Sequence, residues 1–178
     1  KKPSFSDVDF LKRELAEKII AATESIADKP KTETSVNICH KNIKFADESI
    51  HKNIIAIGAS TGGTEAIRNV LEKMPENIPP VVIVQHIPPY FSKAFSERLD
   101  SICPFHVKEA SDGDILKPGL VLIAPVGKQM IIINNGGNFK VIITDEDPVN
   151  RFNPSVDYLF KSLSLLKHIP ITGVLLTG

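Results

Sequence analysis

Cysteine is nearly missing from this chain. Its 178 residues include two, Cys39 and Cys103, far apart and in no CxxC pattern. That excludes a disulfide scaffold and a thiolate zinc site, and it fits two reduced thiols in a cytoplasmic protein. Net charge is missing as well: 21 Lys and Arg balance 21 Asp and Glu. An even balance gives no general pull toward nucleic acid. No apolar run approaches the roughly 20 residues of a membrane span, so membrane insertion is not expected. The opening KKPSFSDVDF lacks the apolar core of a signal peptide. What the chain does have is 42% hydrophobic residues, enough for one sizeable core.

Residues 6–27 predict an amphipathic helix. Val8, Leu11, Leu15, Ile19, Ala22 and Ile26 recur at helical spacing, and Ser6 with Asp9 forms a capping box. A lone helix cannot bury its own stripe, so it should dock on something. Asp28–Ser49 is polar and aperiodic and reads as a flexible linker.

The body begins near Asn53. Ile54–Ile57, Val81–Val84, Leu120–Ile123 and Ile171–Leu176 are short, continuous apolar runs. Strands covered on both faces look like this. Met130–Ile133 and Lys140–Thr144 flank NNGGN, a hairpin signal. Helical patterns over Thr64–Met74, Phe91–Leu99 and Pro154–Lys167 separate the runs, the last with Asn153 as its expected cap. The alternation predicts an α/β fold: a doubly wound, Rossmann-like, mostly parallel sheet in three layers with helices on both faces, plus a small β-hairpin. Chemistry in such sheets gathers at the carboxyl ends of the strands. Ser60 follows the first strand and His86 follows the second.

Three readings compete for the turn in IIAIGASTGGTEAI. Gly58, Ser60 and Gly63 overlay a dinucleotide-binding G-x-G-x-x-G with serine at the middle glycine, where a side chain blocks the pyrophosphate. The acid expected about 20 residues on is missing, because the second strand ends in Gln85-His86. No Gly-Lys-Ser/Thr follows either, which excludes a P-loop. The second reading is nucleophilic. Gly58–Gly62 is a literal G-x-S-x-G, and the amides of Thr61, Gly62 and Gly63 at a helix start could hold an oxyanion. His86 would then be the base. The third reading is structural, with Ser60 as a turn residue and Thr61 as the helix cap. The histidine at the neighbouring strand end favours the nucleophile. Its early place differs from common α/β-hydrolases, whose histidine comes last.

IGASTGGTEAI, VVIVQHIPPYFSKAFSERLD, VKEASDGDILKPGLVLIAPVGKQM, NPSVDYLFKSL and GVLLTG together resemble the catalytic domain of the CheB family, the protein-glutamate methylesterases that demethylate chemotaxis receptors. The resemblance covers Asn53 to Gly178, with the blocks in the family's order. It implies a serine hydrolase with Ser60 as nucleophile, His86 as the triad histidine and Thr61 as a neighbouring site residue. The implied reaction is hydrolysis of γ-glutamyl methyl esters on the cytoplasmic helices of receptors, with deamidation of glutamine alongside. No cofactor and no metal are implied. Residues 1–52 resemble the exit from a response-regulator receiver domain, which implies that receiver and its kinase as further partners.

Two departures from the family pattern stand out. The family's catalytic aspartate lies in a Gly-Met-Gly-x-Asp-Gly stretch directly after LLTG, and this chain stops at Gly178. The expectation is a longer protein that supplies the aspartate, and an impaired enzyme without it. An aspartate truly absent would favour an inactive module that docks on receptors or another partner. Asp157, in NPSVD, reads as a helix-start residue rather than a substitute acid. The second departure is Gln129 in APVGKQM, where the family usually has histidine. Gln129 can support the site by hydrogen bonding but cannot titrate. SDGD at 111–114 and TDEDP at 144–148 have turn composition, and their spacing does not call for calcium.

Overall fold

The computed structural model describes residues 53–178. The helix expected over 6–27 and the linker Asp28–Ser49 lie outside the described residues. Each predicted apolar run becomes a strand: β1 (Ile54–Ala59), β2 (Val81–Gln85), β4 (Leu120–Ile123) and β7 (Ile171–Leu175). A fifth strand, β3 (His106–Glu109), joins them. It is short and half polar, and no apolar run announced it. The five pair in parallel in the order β3-β4-β2-β1-β7.

The side chains of each strand divide between two cores. Ile54, Ala56, Val82, Val84, Leu120 and Leu122 face one side. Ile57, Ala59, Val81, Ile83, Val121 and Ile123 face the other. In β2 and β4 every position is buried, and in β1 all but Ile55, which is why these runs are continuous rather than alternating. Burial of each such side chain contributes about 1.5–3 kcal/mol before entropy is counted. Helices α1 (Gly63–Leu71) and α2 (Phe91–Asp100) cover the second face through Ile67, Leu71 and Leu99. Helix α3 (Val156–Ser164) covers the first through Leu159 and Leu163. The hairpin β5 (Gln129–Asn135) and β6 (Asn138–Thr144) turns at Gly136-Gly137 and adds Met130, Ile132 and Val141 to that core.

Helix boundaries differ from the sequence reading, and α3 runs Val156–Ser164 rather than Pro154–Lys167. Helix α1 stops at Leu71, three residues before Met74. The cap of α3 is Ser155, whose hydroxyl accepts from the Tyr158 N–H, rather than Asn153. The Asn153 amide instead donates to the Glu146 carbonyl at 3.2 Å.

The topology selects one end of the sheet. The chain leaves β1 through α1 on one face and enters β7 through α3 on the other. The segments that follow β1 and β7 meet at the carboxyl ends of these neighbouring parallel strands, the end where doubly wound sheets gather their chemistry. Ser60 lies there.

Candidate active site

Ser60 sits in the turn between β1 and α1, half-buried. The backbone does not strain it. Positive φ falls instead on Gly62 (φ 76), the N-cap of α1, so this turn differs from a hydrolase elbow that strains its serine. No side chain caps α1, so Thr61 does not do so. A Cβ at Gly63 would lie 2.0 Å from Gln85 Oε1 and 2.6 Å from the Ala59 Cβ. Only a glycine lets the helix start that close to the neighbouring strand.

Five hydrogen bonds fasten the turn. The Gly63 N–H donates to the Ser60 carbonyl at 2.8 Å, so that amide is taken. The Ser60 N–H donates to the Thr177 carbonyl at 2.7 Å. The Thr177 hydroxyl donates to the Thr61 carbonyl at 2.6 Å. Gln85, 2% exposed, donates from one amide nitrogen to the Ser60 carbonyl at 2.7 Å and to the His86 carbonyl at 3.0 Å. Among the described residues, the amides of Thr61 and Gly62 have no acceptor. They lie at the positive end of the α1 dipole, where a negative oxygen is stabilised.

His86 follows β2 directly, and its N–H donates to the Ala59 carbonyl at 3.0 Å. Its ring stacks on Phe152 with centroids 3.8 Å apart and planes 3° from parallel. Both ring nitrogens are screened from solvent and have no hydrogen-bond partner among the described residues. Burial holds the imidazole below its ordinary pKa, because the charged form loses hydration; the Pro154 carbonyl faces the ring and opposes the shift without reaching hydrogen-bond geometry. Ser60 and His86 are neighbours at adjacent strand ends but share no hydrogen bond.

Gln129 lies beneath this group rather than in it. It is fully buried and donates to the carbonyls of Asp147 and Phe152, each at 3.2 Å. Its own carbonyl accepts from the Ser155 N–H at 2.9 Å. It thus holds the loop that carries Phe152. Asp157 is exposed on the first turn of α3, where the Asn150 amide donates to it, and makes no bond to His86. Gln85, Phe152 and Thr177 were not expected at the site. A glutamine closing the run VVIVQ is a buried polar group in need of partners, and that signal was present in the sequence.

A family model described as CheB methylesterase matches residues 55–178. The chain belongs to the CheB methylesterase family. The CheB match contains the Ser60 turn, His86 and Gln129. Among curated relatives, a protein named protein-glutamate methylesterase/protein-glutamine glutaminase from Salmonella typhi is 42% identical over 181 residues. The same-named protein from Pectobacterium atrosepticum is 38% identical over 182 residues. Each alignment covers 96% of this chain and 52% of the relative, so the chain spans about half the length of these curated relatives. The crystal structure of the Thermotoga maritima CheB methylesterase catalytic domain superposes with a TM-score of 0.66 at 38% identity, covering 70% of this chain and 67% of that one. The CheB-like sheet of this chain offers no group of three or more His, Cys, Asp or Glu able to hold a metal ion among its described residues. No helix among them is long and apolar enough to cross a membrane.

Proposed function

We propose that this chain carries the catalytic part of a protein-glutamate methylesterase that also deamidates glutamine on chemotaxis receptors. Ser60 Oγ attacks the γ-carbonyl of a receptor glutamyl ester while His86 takes its proton. The Thr61 and Gly62 amides receive the oxyanion, and Gly63 holds the turn that aims them. His86 returns the proton to the leaving methanol, or to ammonia when the substrate is a glutamine. A water deprotonated by His86 then releases glutamate. The same chemistry needs no metal or cofactor.

One observation carries this reading. Gln85 clasps the Ser60 and His86 carbonyls together while both ring nitrogens of His86 stay without a partner. A general base needs one nitrogen free for the serine proton and the other held by an acceptor. We assign that acceptor to an aspartate beyond Gly178, as the resemblance implies. Residues 1–178 alone are then impaired, by about 10⁴-fold if the serine-protease template holds. Receptor helices would meet an aromatic rim, since Tyr90 is 95% exposed and Phe91 60%. A receiver domain and its kinase would regulate the reaction.

The test is methanol release from methylated receptor by the full-length protein and its Ser60→Ala variant. The expected result is a loss of more than about a thousandfold in kcat with receptor binding retained. Unchanged release would remove Ser60 from the chemistry and the esterase reading with it.

A further inference from the structure

Even with one nitrogen held by the triad acid, a single hydrogen bond leaves an imidazole plane free to rock about it. The torsion that turns a histidine ring has a broad, roughly two-fold profile, so the side chain alone does not choose an orientation. At His86 the described residues supply no hydrogen bond to either nitrogen. They supply a flat neighbour instead, the Phe152 ring, 3.8 Å away and within 3° of parallel.

Phe152 is itself held firmly. Its N–H donates to the Val149 carbonyl at 3.0 Å, and the Val149 N–H donates back at 3.1 Å. Asn150 (φ 54) and Arg151 (φ 70) form the turn between them, both left-handed. Two such residues make the tight turn whose twist matches a hairpin. The Phe152 carbonyl also accepts from Gln129, which is fully buried at the start of β5 and grips the loop at Asp147 and Ser155 as well. A rigid line of contacts runs from the β5 hairpin through Gln129 and Phe152 to His86.

We infer that Phe152 is a positioning residue, whose ring, braced by Gln129, sets the plane in which His86 meets Ser60. The inference rests on His86 being the general base. Phe152 does not touch the reacting atoms in this role. It narrows the ring to one orientation, so that little reorganisation is left for the reaction. The same ring excludes water from one face of His86 and keeps the imidazole in its neutral, proton-accepting form. Among the described residues it is burial that lowers the affinity for the proton, with the Pro154 carbonyl opposing it.

The test uses the full-length protein with Phe152→Leu, which keeps an apolar side chain and removes the flat ring, and Phe152→Tyr, which restores the ring. Methanol release is followed against pH, and the His86 ring is followed by nitrogen NMR. Phe152→Leu is expected to lower kcat roughly ten- to a hundredfold with KM within about twofold. Hydration of the ring should raise the His86 pKa toward its ordinary value. The acidic limb of the kcat profile then moves to higher pH, because the base stays protonated longer. Phe152→Tyr should recover both the rate and the titration. Should the leucine variant not fold, Phe152→Met takes its place and must give the same result. A fall in kcat with an unmoved His86 titration overturns the inference, since Phe152 would then act elsewhere. Unchanged kcat and titration overturn it too. The NMR readout does not require turnover. A parent protein that releases no methanol therefore defeats the esterase reading, while the His86 titration still decides whether Phe152 controls that ring.

Discussion

Gly63 shows how little room one residue can have. The methyl group of an alanine there would overlap the Gln85 amide, and the Ala59 methyl blocks the other side. Gln85 cannot retreat without releasing the carbonyls of Ser60 and His86. Overpacking at such a point costs about 1–3 kcal/mol. Gly63→Ala should therefore lower the unfolding free energy read from a urea titration by that amount and reduce activity of the folded fraction as well. A stable variant with full activity would show that Gln85 is not the clasp described here. Ser60 and His86 were legible in the sequence because strand ends collect chemistry and each followed an apolar run. Phe152 was not, since a lone aromatic in TDEDPVNRFNP announces no partner until the chain is folded.

At the scale of elements, strand-forming runs were plain and their edges less so. β1, β2 and β4 showed as unbroken apolar stretches because helical layers cover both faces of the middle of the sheet, whereas β7 showed through Ile171, Val174 and Leu175 although it lies at an edge. β3 was hidden, as its His106, Lys108 and Glu109 alternate with buried Val107 and look like loop. The start of α3 was misplaced because Pro154 suits a first helical position, yet Ser155 makes the capping bond. Helix α3 depends on one buried row. Leu159 is fully buried in the core shared by the sheet and the hairpin. Leu159→Ala should destabilise by roughly 2–5 kcal/mol, depending on how far the hole collapses. Equilibrium unfolding in urea measures it. A cost near zero would mean that α3 is not anchored through this row.

For the whole domain, stability is graded across the sheet. β1, β2 and β4 are buried on both faces, whereas β7 lies at one edge with Thr172, Gly173 and Leu175 exposed. Amide exchange should be slowest in the three central strands and faster in β7. Equal protection of β7 would indicate that further chain covers its edge. The doubly wound plan was readable from the alternation of runs and helices, while the strand order came only from the folded chain.

The bonds of Thr177 with Ser60 and Thr61 join residues at least 116 positions apart. Contacts of such long reach must close a large loop, and they form late. A ribosome making this protein therefore releases the serine turn well before the strand that completes it. Until Thr177 docks, Ser60 sits on an unfinished turn. The segment after β7 thus acts as a latch on a turn made more than a hundred residues earlier.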